Sequence, residues 1–274
     1  MIDTPVSSAV ILARGLGTRM RRHDPAAALD PAQASVAAAG LKAMIPDGAG
    51  RPFLDHLLSA LADAGIADVV LVVAPDHAAI RDHYASQPPT RVRLRYAVQA
   101  EPRGTADALL AAEPLVGAQP FLVQNADNLY PVAALRALAA LGEPGLVAFT
   151  RDGLLADGSI AAERIAAFAL LLIDGNGYLQ DLVEKPDAAA VSAAPADAPV
   201  SMNLWRFDPR IFDACRRVPR SPRGEHELPE AVRLAIGEGM RVRAITMRSG
   251  VLDLSARGDV AEAAARLARM PVVP

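Results

Sequence analysis

Two glycines and an arginine directly follow an apolar run: Ala9–Leu12 leads through Ala13 and Arg14 into Gly15, Gly17, Thr18 and Arg19. Glycines allow positive φ and close backbone approach, and successive N–H groups in such a turn form an anion-binding concavity. A guanidinium beside them adds a planar fork suited to phosphate oxygens. The same composition also suits a plain strand-to-helix turn with solvated arginines, so the loop alone leaves both readings open. It is not a dinucleotide fingerprint, because the third glycine of G-x-G-x-x-G is missing, and no Walker A pattern occurs anywhere in the chain.

Other chemistry-bearing residues narrow the classes. Cys215 is the only cysteine, which rules out an intrachain disulfide and a thiolate zinc site and fits a reducing cytoplasm, the expected location. The five histidines have no zinc-type spacing; His77 and His83 do not share a helix face, and Glu225-His226-Glu227 reads as a charged helix start. A net charge of −3 carries no basic stripe for nucleic acid. No basic leader precedes the short amino-terminal apolar run, and no stretch reaches membrane-span length, so neither a signal peptide nor a membrane partner is expected.

The elements that must hold these residues alternate. SAVILA, DVVLVVA, VRLRYAV, PFLVQNA and GLVAFT read as strands, separated by helical patterns in PFLDHLLSALADAG, PDHAAIRDHYA, TADALLAAEPL and PVAALRALAAL. The alternation predicts a mostly parallel sheet with right-handed crossovers, its ligand side at the strands' carboxyl ends. Farther on, RIAAFALLLID, YLQDLVEK and VSMNLWRF read as strands, with Gly175-Asn176-Gly177 turning the first two into a hairpin. Two helices, the strand RVRAITM and a closing helix follow. Residues 23–40 and 186–199, rich in Ala, Pro and Asp, read as mobile loops or short helices, and 23–40 is expected to be a flexible insertion able to act as a lid.

With these residues in place, the chain resembles the sugar-1-phosphate nucleotidylyltransferases. LARGLGTRM followed by LKAMIPD resembles their L-A-A-G-x-G-T-R and P-K-x-[ML]-x-P segments. QAEPRGTADAL, FLVQNADNLY, LVEKP, GEHELPEAV and VLDLSARGDVAEA resemble later family segments in the same order, from Val10 to about Ala263. The resemblance implies an α/β/α sandwich with a Rossmann-like, mostly parallel mixed sheet and a small β-rich sugar-binding portion. It implies one domain over residues 1–274, with a nucleotide-binding half (1–150) and a sugar-phosphate half (151–274). No hexapeptide repeat follows the core, so no acetyltransferase part is expected.

The implied reaction joins a nucleoside triphosphate to a sugar 1-phosphate and releases pyrophosphate, with Mg²⁺ as cofactor. The sugar phosphate is itself the nucleophile, so no catalytic Cys or Ser-His pair is needed. By resemblance, Leu12, Ala13, Gly15, Gly17 and Thr18 cradle the nucleotide, Arg19 binds the β- and γ-phosphates, and Lys42 neutralises the reacting α-phosphate. Gln99, Gly104 and Thr105 bind the nucleotide's base end. Asp127 and Asp253 hold the metal, and Glu184, Lys185 and Asn203 contact the sugar phosphate. UTP is favoured, with dTTP, ATP and GTP open; a homo-oligomer is left open too.

The chain also departs from the pattern. Arg14 replaces a small residue, Asn203 stands where glycine is common, DLS replaces Asp-x-Gly after Asp253, and the longer interval between Arg19 and Lys42 could displace the lysine. These departures motivate a second reading, a regulatory protein that binds sugar nucleotides without making them. An NAD-linked oxidoreductase is a distant third.

Overall fold

Buried β-branched runs and short Gly/Pro-bounded connections give the chain its layout, described here from a computed structural model for residues 5–157, 160–195 and 197–274. The first four residues and residue 196, which fall within the leader and 186–199 readings, lie outside the described residues.

The first half alternates as expected. Strands β1 (Ser8–Leu12), β2 (Asp68–Val73), β3 (Arg93–Val98) and β4 (Phe121–Asn125) are mutually parallel neighbours in the order β4-β1-β2-β3. Between them run helices α1 (Thr18–Arg21), α2 (Pro31–Ala39), α3 (Phe53–Asp63), α4 (Ala78–Ser86) and α5 (Thr105–Val116). A two-residue strand β5 (Asn128–Leu129), helix α6 (Val132–Ala139) and strand β6 (Gly145–Phe149) complete this half.

The second half holds α7 (Arg151–Asp157), α8 (Ala162–Ile165), the hairpin β7 (Leu170–Ile173) and β8 (Leu179–Val183), and α9 (Ala188–Ala193). Then come β9 (Val200–Phe207), α10 (Ile211–Arg217), α11 (Leu228–Gly237), β10 (Arg243–Met247), β11 (Leu252–Asp253) and α12 (Val260–Leu267). Strand β9 returns antiparallel between β4 and β6, and β10 adds parallel to β6, so the sheet is mixed but mostly parallel. β11 pairs with β5 in a separate ribbon.

Both faces of the sheet are covered. Along β1, Ala9 and Ile11 pack into the layer with Leu57, Leu61 and Leu135 of α3 and α6; Val10 packs into the other with Leu109, Phe212 and Val232 of α5, α10 and α11. The period-two alternation of a strand is therefore apolar on both sides, which is why β1 and β2 read as unbroken apolar runs. Stacked rings anchor the second layer: Phe121 with Phe212 at 5.5 Å and Trp205 with Phe207 at 5.7 Å between centroids.

One expectation is corrected and one left open is decided. RIAAFALLLID is not one strand: Arg164 and Ile165 close helix α8, and β7 begins only at Leu170. A short apolar run fits either period, and here the first part takes the helical one. Of the two readings left open for residues 23–40, mobile loop or short helix, Pro31–Ala39 takes the helix, α2, which carries a capping box. Asp30 Oδ1 accepts from the Gln33 N–H at 2.8 Å, and the Asp30 N–H donates to Gln33 Oε1. Gln33 Nε2 also donates to the Pro46 carbonyl, tying the helix to the segment beyond Lys42.

Candidate active site

The carboxyl ends of β1, β3 and β4 open on one side of the sheet into a cleft of about 400 Å³. Leu12, Ala13, Gly15, Gly17, Thr18, Arg19, Lys42, Gln99, Gly104, Thr105 and Asp127 all line it. Elements far apart in sequence thus meet where an open α/β sheet binds ligands.

The glycine-arginine loop is held by one tight contact. Gly17 has φ 60°, and a Cβ there would lie 2.3 Å from the Gly40 carbonyl oxygen. Gly40 ends α2 in the same left-handed region, and Arg21 Nη2 donates to the Ala39 carbonyl. One turn later the chain presents Lys42, whose Nζ lies 2.9 Å from Asp127 Oδ2. The insertion therefore does not displace the lysine. Both side chains are partly exposed to the cleft, so their pairing is open to exchange with a charged ligand.

Gln99 is buried at the end of β3, and its orientation is fixed. Its Nε2 donates to the Gly104 carbonyl at 3.0 Å and to Asp107 Oδ2 at 2.7 Å. Both partners are acceptors, so the amide nitrogen must face them, and Oε1 is left as an acceptor. Gly104 has φ 111°, and a Cβ there would lie 2.4 Å from the His226 carbonyl oxygen. The Thr105 hydroxyl accepts from the Leu228 N–H at 2.8 Å, bolting the start of α11 to the start of α5. Gly104→Ala is expected to lower unfolding free energy by about 2–3 kcal/mol in urea titration, because backbone cannot yield as a flexible side chain would.

Four expected residues do not line this cleft: Glu184, Lys185, Asn203 and Asp253. Lys185 and Asn203 both take positive φ, 46° and 60°. Asparagine tolerates that region better than most side chains, which accounts for its replacing a glycine. Lys185 is held there although it precedes Pro186, a doubly restricted position. Arg223 and Glu227, which pair with each other, contribute to the field at Glu184, so the hairpin end faces the loop that brings Glu225 to the cleft.

Burial, and next the nearby Glu227, raise the Glu184 carboxyl above its usual value. The fold thus favours its protonated form: stability from this group is full below the unfolded pKa of 4.5 and is lost as pH rises through the raised folded value. Glu184→Gln is expected to raise the melting temperature at pH 7 by about 2 °C, with the gap closing near pH 4. Thermal melts at both pH values check it.

The two expected metal carboxylates differ in readiness. Asp127 faces the cleft and could take a hard cation in exchange for its lysine partner. Asp253 sits next to it through the ladder, since it pairs with Asn128 and the Leu254 N–H donates to the Asp127 carbonyl. Its buried carboxylate already accepts from Asn128 Nδ2 and Ser255 Oγ, and is ion-paired with Arg164, which also reaches Asp259 Oδ1 at 2.8 Å. As placed, Asp127 fits a metal and Asp253 does not unless Arg164 withdraws. Among the described residues no group of three or more His, Cys, Asp or Glu forms a metal-holding cluster. Sequence reading missed Arg164, hidden in an apolar run, and Asp107, which orients Gln99. Cys215 is buried and its thiol is pushed up to about 12, so it is unreactive. Among the described residues no helix is long and apolar enough to cross a membrane.

Comparison with known proteins places the family and the fold. A UTP–glucose-1-phosphate uridylyltransferase of Haloferax volcanii is 30% identical over 94% of this chain and 96% of its own. A glucose-1-phosphate thymidylyltransferase of Mycolicibacterium smegmatis is 28% identical over 84% of this chain and 71% of its own. A crystal structure of UDP-glucose pyrophosphorylase with UDP-glucose superposes with a TM-score of 0.72 over 96% of this chain and 99% of that one, at 18% identity, which speaks for the fold. The nucleotidyl transferase family model matches residues 8–268, nearly the whole sequence, so the chain belongs to that family and is an enzyme of the sugar-1-phosphate nucleotidylyltransferase type.

Proposed function

We propose that the chain transfers a uridylyl or thymidylyl group from the triphosphate to a hexose 1-phosphate. An oxygen of the sugar phosphate attacks the α-phosphorus, the bond to the β-phosphate breaks, and pyrophosphate leaves. The observation that carries this reading is the approach of Lys42 to Asp127 inside the cleft bounded by the glycine-arginine loop.

Two anions must meet, so the protein's task is to neutralise and align them. Lys42 would bind oxygens of the α-phosphate once a ligand draws it from Asp127. Arg19, with no ion-pair partner among the described residues, would hold the leaving pyrophosphate. Mg²⁺ at Asp127 would supply further charge neutralisation at the phosphates. Residues 151–274 would supply the sugar-phosphate contacts, through Glu184, Lys185 and Asn203.

The base choice rests on Gln99. With its nitrogen committed to Gly104 and Asp107, its oxygen accepts, which suits the imide N–H of uracil or thymine. The test is pyrophosphate release from UTP, dTTP, ATP, CTP and GTP against a panel of sugar 1-phosphates. Release with UTP or dTTP is the expected result; binding without release from any pair would overturn the transfer reading and favour a sensor.

A further inference from the structure

Among the cations lining the cleft, Arg14 is the one the proposed reaction leaves without a role. It lines the cleft between Ala13 and Gly15, its Nε is buried without a partner, and it makes no ion pair among the described residues. Many other guanidiniums, those of Arg103, Arg164 and Arg223 included, are paired with carboxylates. A buried N–H without an acceptor is a standing penalty unless a ligand supplies one.

Its position says which part of a ligand that is. Arg14 follows β1, and its charge acts on His77, which sits in the turn after β2 with Nδ1 facing the Ala74 N–H. Gln99 directly follows β3, on the same flank of β1, and Ile80 of α4 also lines that end of the cleft. Lys42 and Asp127 lie on the opposite flank, at β4. Arg14 therefore belongs to the end of the cleft away from the reacting phosphates.

We propose that Arg14 reads the nucleobase, donating to a ring carbonyl while Gln99 Oε1 accepts from the adjacent imide N–H. This rests on the nucleotide reading of the cleft. A pyrimidine-dione edge presents carbonyl, N–H and carbonyl in sequence, and a guanidinium beside an amide oxygen is its complement. Adenine and cytosine offer no ring N–H beside a carbonyl and mismatch this pair, whereas guanine, with its N1–H beside one carbonyl, meets it as a uracil or thymine does. A site built to hydrogen-bond a group discriminates against analogues that lack it, because its own polar atoms are then left unmatched.

The test separates base from phosphate by titrating two fragments, uridine and inorganic pyrophosphate, by calorimetry. Arg14→Met is expected to weaken uridine binding at least about tenfold while leaving pyrophosphate binding within about twofold. Arg19→Met should do the reverse. Arg14→Lys, which keeps a cationic donor, should recover part of the uridine affinity and shows whether loss in the methionine variant reflects chemistry rather than a disturbed loop. Unchanged uridine binding in Arg14→Met, or an equal loss for both fragments, overturns the base-reading role. A wild-type protein that binds neither fragment overturns the nucleotide reading beneath it as well.

Discussion

Asp127→Ala is expected to lower turnover by about three orders of magnitude with the fold intact, by analogy with the loss of one preorganised charge at a reacting centre. The fold should survive because the carboxylate borders the cleft, whereas the structural bond at this position, from the Leu254 N–H, uses the Asp127 main-chain carbonyl. The Lys42–Asp127 pair is partly exposed, so breaking it costs little stability. Circular dichroism and a thermal melt check the fold; a continuous pyrophosphate assay reads turnover. Wild-type turnover in this variant would show that the carboxylate has no part in the chemistry.

Lys42→Ala should reduce kcat by about 10²–10³ and raise the KM for the triphosphate less, because the ammonium is asked to stabilise charge that develops at the α-phosphate. Lys42 and Asp127 touch, so the effects should not add. The double variant should fall short of the product of the two single losses, since each single change also leaves the other charge without its resting partner. A fully multiplicative loss in steady-state kinetics would mean that the two groups act independently.

Local chemistry made some features legible and left others hidden. DVVLVV gave itself away as a strand buried on both faces, and Gly175-Asn176-Gly177 as a hairpin turn, because period and turn composition are local properties. Gly17 and Gly104 were visible as glycines, but the backbone atoms they make room for, at Gly40 and His226, belong to other parts of the chain. The Asp127 and Lys42 placements were foreseen only through resemblance; no spacing rule links residues so far apart. Arg164 stayed hidden for two reasons. It lies in an apolar run whose period is ambiguous, and its partner Asp253 is distant in sequence. The cap on α2 was present as Asp30-Pro31 with Gln33, yet the alanines around it masked the signal.

The contact between Gly17 and Gly40 makes the glycine-arginine loop and the lysine segment a single mechanical piece. Any push on α2, from a ligand or a neighbouring protein, would be transmitted to the loop backbone proposed to cradle phosphate and to the Lys42 ammonium, in step. Loop length could therefore drift freely ahead of Asp30, whereas trimming across Gly40 would unmoor the glycine-arginine loop and Lys42 at once.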